Sequence, residues 1–287
     1  SFSIWTLVRS IGIYFNAQVD QIVVGGTLNT ASMGHYSVAN DVSGAPSREI
    51  NDPLVTVLYS AMSKLQGDIA EMRALYLRSL GWSAVVCISA SVGVTLVAPD
   101  MVQVILGKKW LDVEPLMGWL ALSAGVLGLS AAAYVVFDVL GKPYLGARMQ
   151  WVRLIMLAAA VIPMGFLTRS LPAIAATRLA VTVIFVPTLF LAAGSQIDIS
   201  PRQHMSALWR PMLAAAAMAV MVKFVHLISP AIPVIRLPVE ASVGASTFTG
   251  VILVLWRLSG YPASPEQDVF AFFRRSWQKI VPRRAMP

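Results

Sequence analysis

Long apolar runs recur along the whole of this 287-residue chain, and they constrain its fold more than any other feature. A bilayer core about 30 Å thick requires roughly 20 helical residues for each crossing. Such runs occur at about 3–26, 30–62, 75–98, 113–140, 144–166, 172–193, 207–228 and 235–257. The sequence therefore predicts an all-α integral membrane protein with about eight transmembrane helices.

The composition agrees with this prediction. Hydrophobic residues make up 57% of the chain and charged residues only 13%, against about 25% in an ordinary soluble domain. The net charge of +8 lies largely beside predicted spans, so it indicates membrane topology and no nucleic acid partner. The single cysteine, Cys87, lies inside an apolar run, where we expect a packing role. Because the chain starts at Ser1 without a signal pattern, we expect a truncated piece of a longer protein.

Lysine and arginine are distributed unevenly between the two sides that alternating spans define. One side, with the tail, carries Lys64, Arg73, Arg78, Lys142, Arg148, Arg153, Arg202, Arg210, Arg257, Arg274, Arg275, Lys279, Arg283 and Arg284. The opposite side carries only Lys108, Lys109, Arg169 and Arg236. Because cytoplasmic loops are enriched in Lys and Arg, the first side is predicted to be cytoplasmic, together with both termini.

The long second span contains Gly44-Ala45-Pro46 in its interior. Proline lacks a backbone donor, and its ring clashes with the preceding turn of a helix. We therefore expect a kink or a break at this point.

The tail after the last span has a different pattern. Between Ser264 and Val281, the residues Phe270, Phe273, Trp277 and Ile280 recur at helical spacing beside basic residues. This pattern predicts a basic amphipathic helix on the inner membrane surface, with docking on another protein as the alternative.

The chain carries none of the short motifs that mark common catalytic and metal sites. It has no Gly-x4-Gly-Lys-Ser/Thr loop, no His-Glu-x2-His and no Cys-x2-Cys, and its three histidines lie far apart. A membrane glycosyltransferase would usually need an acidic site in or beside a sizeable external loop, whereas the external connections here are short. We therefore predict a transporter and not an enzyme, with no catalytic residues, metal or cofactor.

Polar residues inside the first two spans are the strongest functional candidates. A charged group in hydrocarbon costs several kcal/mol unless it faces water or a partner. In the first span, Arg9, Asn16 and Asp20 lie on one helical stripe together with Ile13. In the second span, Asp41, Arg48 and Asp52 lie on one stripe, with Glu49 and Asn51 alongside. Two such stripes on successive helices predict a shared water-filled cavity.

Two interpretations of these stripes stay open. The functional one assigns substrate binding to Arg9, Asn16, Arg48 and Arg178, and ion or proton coupling to Asp20, Asp41 and Asp52. Its basis is that guanidinium groups suit phosphate oxygens and that carboxylates suit cations. The structural interpretation is that Arg9 with a carboxylate, or Arg48 with Glu49 or Asp52, forms ion pairs that only fix helix packing.

Three further polar groups in later spans are weaker candidates. Arg178 lies a few residues into the sixth span, where facing a cavity and packing are equally compatible with the sequence. Lys223 and His226 lie near the outer end of the seventh span, and snorkelling of their side chains towards the interface explains both.

Several segments in the first half of the chain resemble Wzx-type polysaccharide exporters of the multidrug/oligosaccharidyl-lipid/polysaccharide flippase superfamily. They are Val19-Asp20-Gln21-Ile22-Val23-Val24-Gly25-Gly26, Met33-Gly34-His35-Tyr36-Ser37-Val38-Ala39, Pro53-Leu54, Ser63-Lys64-Leu65-Gln66, Tyr76 with Arg78, and Leu106-Gly107-Lys108-Lys109-Trp110. The similarity is specific over about 1–150 and only compositional beyond.

The resemblance implies an architecture. Many members of this family have fourteen spans, arranged as two lobes of six that face each other across a central cavity, followed by two extra helices. This chain resembles spans seven to fourteen: a C-terminal transport lobe at 1–193, two additional helices at 194–260, and a cytoplasmic amphipathic tail at 261–287. The missing N-terminal lobe would then be a partner, and this chain alone should not transport.

The resemblance also implies a function. It indicates flipping of undecaprenyl-pyrophosphate-linked oligosaccharide across a bacterial inner membrane by alternating access, for export of O-antigen, capsule or exopolysaccharide. Cationic cavity residues would hold the pyrophosphate, and by position Arg9 and Arg48 are the candidates. Implied partners are this lipid-linked oligosaccharide, membrane lipids, a polysaccharide polymerase and a chain-length regulator.

Three alternatives to flipping stay open at this stage. The first is a cation-coupled drug exporter of the same superfamily, which would use a cavity carboxylate and an apolar pocket. The second is a membrane scaffold of polysaccharide assembly without transport of its own. The third is a membrane-embedded glycosyltransferase.

Overall fold

A computed structural model describes residues 2–229 and 232–259, and these residues form helices joined by short connections, with no β-strand among them. The predicted amphipathic helix at 264–281 lies outside the described residues. The helices are α1 (Phe2–Thr27), α2 (Thr30–Ser63), α3 (Ile69–Met101), α4 (Glu114–Gly128), α5 (Ala131–Val139), α6 (Pro143–Thr168), α7 (Leu171–Gly194), α8 (Pro201–Ile228) and α9 (Pro233–Leu258).

Each predicted span corresponds to one of these helices, except that the span at 113–140 is formed by α4 followed by α5. Six segments are long and apolar enough to cross a membrane: Ile69–Leu106, Lys108–Val139 and the four helices α6 to α9. The prediction of an all-α integral membrane protein is therefore confirmed. Helices α1 and α2 are not among the six, and the count of eight spans stays a prediction for these two.

Helix α2 continues from Thr30 to Ser63 with Pro46 and Pro53 inside it, so there is no break at Pro46, and a kink at this point stays a prediction. The side chain of Arg48 packs against this part of the helix. Its Nη2 donates to the carbonyl oxygen of Asp41 at 3.2 Å, and a Cβ at Gly44 would lie 2.8 Å from its Nη1. A side chain that bonds a backbone carbonyl near a proline is one way in which a membrane helix accommodates that proline.

Helix α1 packs along α6 through small residues. A Cβ at Gly165 would lie only 2.6 Å from Cγ1 of Val23, and a Cβ at Gly12 would lie 3.3 Å from Cβ of Gln150. Because residue numbers rise together along the two helices, they run parallel. Small residues at such a crossing let two backbones approach closely in a membrane.

Helices α3 and α4 also meet through glycines. A Cβ at Gly125 would lie 2.8 Å from the carbonyl oxygen of Cys87, and a Cβ at Gly128 would lie 2.6 Å from its Sγ. Cys87 is fully buried in this contact, which confirms its packing role.

The last two helices have a small core of their own, formed by Ala214, Ala215, Met218, Val222, Phe248 and Ile252. Partly buried side chains of α3, such as Val85 and Val92, pack against it. Helices α1 to α7 contribute most of the other two apolar cores, and Leu208 of α8 belongs to one of them. The division of the chain near residue 194 stays a prediction, and α3 is the helix that joins the two parts.

Candidate functional site

The polar stripe of α1 faces inward. Asp20 is completely buried, and its Oδ2 accepts hydrogen bonds from the guanidinium of Arg178 on α7 and, at 3.1 Å, from the hydroxyl of Tyr36 on α2. This carboxylate therefore joins three helices. An ion pair that is almost completely removed from water depends on the geometry of its partners.

Further hydroxyl groups extend this contact along α7. Thr182 Oγ1 donates to the carbonyl oxygen of Arg178 at 2.8 Å and lies 3.2 Å from Oγ of Ser123 on α4. Arg178 is thus packed between α1 and α4 rather than facing an open cavity.

Asn16 lies one turn before Asp20 and is also buried. Its Nδ2 donates to the carbonyl oxygen of Gly12 at 2.8 Å and to that of Gln150 at 2.9 Å. Gln150 belongs to α6, so this amide fixes the contact of α1 with α6.

Arg9 is paired with a carboxylate that the sequence did not single out. Its Nη1 lies 2.7 Å from both carboxylate oxygens of Asp138 on α5. The side chains are 22% and 15% exposed, so this pair lies at a more open end of the same inner region. An internal ion pair of Arg9 was one of the two interpretations of the sequence.

Arg153 is the residue that sequence reasoning placed wrongly. The charge distribution assigned it to a cytoplasmic connection, but it lies well inside α6 and is only 5% exposed. Its Nε and Nη2 have no hydrogen-bond partner, and it forms no ion pair with a described carboxylate. The signal that could have found it is its position nine residues into the apolar run at 144–166.

These residues form one group, which we call the inner polar cluster. It comprises Asn16, Asp20, Tyr36, Tyr134, Gln150, Arg153 and Arg178, with the Arg9–Asp138 pair at one end.

The polar stripe of α2 has a different position. Asp41, Arg48, Glu49 and Asp52 are all exposed, and we call them the charged face of α2. Neither Glu49 nor Asp52 forms an ion pair with Arg48 within the part of the chain that the structure describes. Only one hydrogen bond of the Arg48 guanidinium, from Nη2 to the carbonyl oxygen of Asp41, lies within the described residues.

The expectation that the two stripes line one cavity is wrong for this structure. The stripe of α1 packs against α5, α6 and α7, whereas the charged face of α2 is open. Asn51, predicted to accompany the α2 stripe, is buried as well. Its Nδ2 donates to the carbonyl oxygen of Gly128 at 3.1 Å, and its Oδ1 accepts from Ser83 at 3.0 Å.

A third polar group joins α3, α8 and α9. Arg236 donates through Nε and Nη2 to both oxygens of Asp100, and His226 Nδ1 lies 2.7 Å from Oε1 of Glu240. Snorkelling therefore does not account for His226, whereas Lys223 is exposed as expected. Ligand atoms of Asp100, His226 and Glu240 lie within 4.8 Å of one another. Because Arg236 already occupies both oxygens of Asp100, the group is better described as an ion-pair network than as a metal site.

The family match to known proteins lies in the first half of the chain. A family model described as polysaccharide biosynthesis protein matches residues 1–115. The predicted resemblance to Wzx-type polysaccharide exporters is confirmed. No solved structure matches the chain.

Three curated relatives show how far this similarity extends. The chain is 26% identical over 116 residues to the lipopolysaccharide biosynthesis protein WzxC of Escherichia coli, covering 40% of this chain and 24% of that protein. It is 24% identical over 268 residues to the succinoglycan biosynthesis transport protein ExoT of Rhizobium meliloti, covering 89% and 52%. It is 25% identical over 154 residues to a membrane protein of Klebsiella pneumoniae named for its cps region, covering 54% and 32%. The chain thus spans about half, or less, of the length of these relatives.

Proposed function

We propose that this chain is part of a transporter that flips lipid-linked oligosaccharide across a bacterial inner membrane for polysaccharide export. The observation that carries the proposal is the open charged face of α2 on an otherwise apolar membrane bundle. The names of WzxC and ExoT refer to lipopolysaccharide biosynthesis and succinoglycan biosynthesis transport, and they support a role in polysaccharide export.

The charged face requires water or a polar partner. Four exposed ionisable side chains on one helix would each cost several kcal/mol in contact with lipid. A second lobe that encloses a water-filled cavity against α2 removes that cost. Alternating access of two such lobes is therefore the mechanism that we propose.

Arg48 is the residue that we propose for binding the pyrophosphate. It is exposed, it has no carboxylate partner among the described residues, and only one of its nitrogens is engaged in a hydrogen bond to a backbone carbonyl. A guanidinium with free donors can bind two phosphate oxygens at once. The carboxylates of Asp41 and Asp52 on the same face are then the candidates for cation or proton coupling.

The buried candidates have a different proposed role. Arg9 and Arg178 already form ion pairs with carboxylates. The amide nitrogen of Asn16 already donates to two backbone carbonyl oxygens. A substrate could reach them only by breaking these contacts. We propose that Arg9, Asn16, Arg178 and Asp20 position the helices of the lobe.

The experiment uses cells that lack their own flippase and carry the full-length protein. Wild type is expected to restore surface glycan, and Arg48→Ala is expected to reach the membrane but to lose most of this activity. The matched control is Arg202→Ala, because Arg202 is an exposed arginine on α8. Equal glycan from Arg48→Ala and wild type would remove Arg48 from the site. Drug resistance without restored glycan would instead favour the cation-coupled drug exporter.

A further inference from the structure

Buried hydrogen-bond donors without partners collect in the inner polar cluster. Three of the four such donors among the described residues lie there, namely Nε and Nη2 of Arg153 on α6 and the hydroxyl of Tyr134 on α5, and the fourth is Nε of Arg210 on α8. Gly146, Gln150 and Arg153 follow one face of α6 at helical spacing. Tyr134 and Arg9 contact this face at Gly146, and Asn16 contacts it at Gln150, so these groups share one region. Buried donors in proteins nearly always have a partner, and each exception calls for an explanation.

The charges of this region do not cancel. Arg9 is balanced by Asp138 and Arg178 by Asp20, and both pairs are in direct contact. Arg153 remains, and within the described residues no carboxylate forms an ion pair with it. An unpaired charge that is 5% exposed is strongly unfavourable in a medium of low polarity unless something neutralises it.

We propose that Arg153 and Tyr134 form a binding site for one small monovalent anion of the chloride class. The unpartnered groups around this point include three donor atoms, which suit an anion and repel a cation. Two buried acceptors, Oδ1 of Asn16 and Oδ1 of Asp20, also lack partners, and water molecules that hydrate the anion can donate to them.

The position of the site suggests how the anion enters. Tyr134 lies one helical turn from Asp138. A Cβ added to Gly146 would lie 3.6 Å from Cδ1 of Tyr134 and 3.4 Å from Nη1 of Arg9, so both side chains lie beside Gly146. The Arg9–Asp138 pair is the partly exposed end of the region. The anion therefore passes this pair to reach Arg153. The site does not include the charged face of α2, so it does not depend on the proposed transport function.

The test measures thermal unfolding of the purified full-length protein in detergent, with sodium chloride exchanged for sodium gluconate at constant ionic strength. Wild type is expected to show a saturable rise in Tm of about 3 °C with chloride. Arg153→Gln is expected to show no such rise. Tyr134→Phe keeps the shape of the ring but lacks one donor, so a weaker rise in Tm is expected. This second variant keeps the proposal testable if Arg153→Gln does not fold.

Arg202→Gln is the matched control, because it removes an exposed arginine of α8 that belongs to neither proposed site and should retain the chloride response in full. Equal Tm values in chloride and gluconate for wild type would overturn the proposal and indicate that water alone fills the region. A chloride response that persists unchanged in both Arg153→Gln and Tyr134→Phe would also overturn it, because the anion would then bind elsewhere.

Discussion

The guanidinium of Arg178 on α7 binds the fully buried carboxylate of Asp20 on α1. The two residues are 158 positions apart in sequence, and Tyr36 of α2 donates to the same carboxylate oxygen. Three helices of the bundle are therefore fixed by one charged group.

Asp20→Asn should strongly destabilise the protein. The variant leaves Arg178 buried without a counter-charge, next to the already unpaired Arg153. Removing one partner of a buried ion pair costs about 3–5 kcal/mol of unfolding free energy. Unfolding in mild detergent measures this loss.

The double variant Asp20→Asn/Arg178→Met is the control for this prediction. Because it removes both charges, it should recover much of the stability that the single variant loses. If the effects of the two single variants simply add, the pair does not carry the energy that we assign to it.

Gly165→Ala should destabilise the contact of α1 with α6. The new methyl group would lie 2.6 Å from Cγ1 of Val23, and overpacking of this kind typically costs about 1–3 kcal/mol. The matched control is Gly93→Ala on α3, because no atom lies within 4 Å of a Cβ there. Gly93→Ala should be neutral or slightly stabilising by thermal unfolding, and equal losses in both variants would contradict the close contact.

Arg236→Met should loosen the docking of α9 on α3. It leaves Asp100, which is 1% exposed, without its two hydrogen bonds from the guanidinium. We expect a loss of about 3–5 kcal/mol, which Asp100→Asn in the same chain should partly restore. Limited proteolysis of the full-length protein should detach α9 faster in the single variant. An unchanged cleavage rate would show that this network does not hold the two helices.

Arg48→Lys should separate charge from geometry in the proposed pyrophosphate site. Lysine keeps the positive charge but lacks the planar fork that binds two oxygens. Loss of one charge-assisted contact of about 1.5–3 kcal/mol corresponds to roughly a tenfold to hundredfold loss of affinity. In a dose-dependent glycan assay, the lysine variant should therefore fall between wild type and Arg48→Ala.

The helices themselves could be predicted from the sequence because each depends on local information. Apolar runs, ended by Pro, Gly or charges, placed each predicted span within about six residues of a helix, except that the run at 113–140 is formed by two helices. Helical periodicity also placed Arg9, Asn16 and Asp20 correctly on one face of α1.

The partners of these residues could not be predicted from the sequence. Which helix lies against that face is decided by packing between segments more than 120 residues apart, as for Arg9 with Asp138. The same periodicity was therefore compatible with an open cavity and with a buried ion pair. Arg153 was placed wrongly because the count of basic residues on each side did not separate an arginine inside a span from one in a connection.

The central claim is that the charged face of α2 lines water and not lipid. The most direct measurement is the reaction of single cysteines with a water-soluble maleimide in a Cys87→Ala background of the full-length protein. Asp41→Cys and Asp52→Cys should react, whereas Ser47→Cys on the buried side of the same helix, where Ser47 is 2% exposed, should not. Ile155→Cys on α6 is the lipid control, because Ile155 is 64% exposed on an apolar surface and should also stay unreactive. If Asp41→Cys and Asp52→Cys are as unreactive as Ile155→Cys, the charged face does not line a water-filled cavity and the proposed transport mechanism is contradicted.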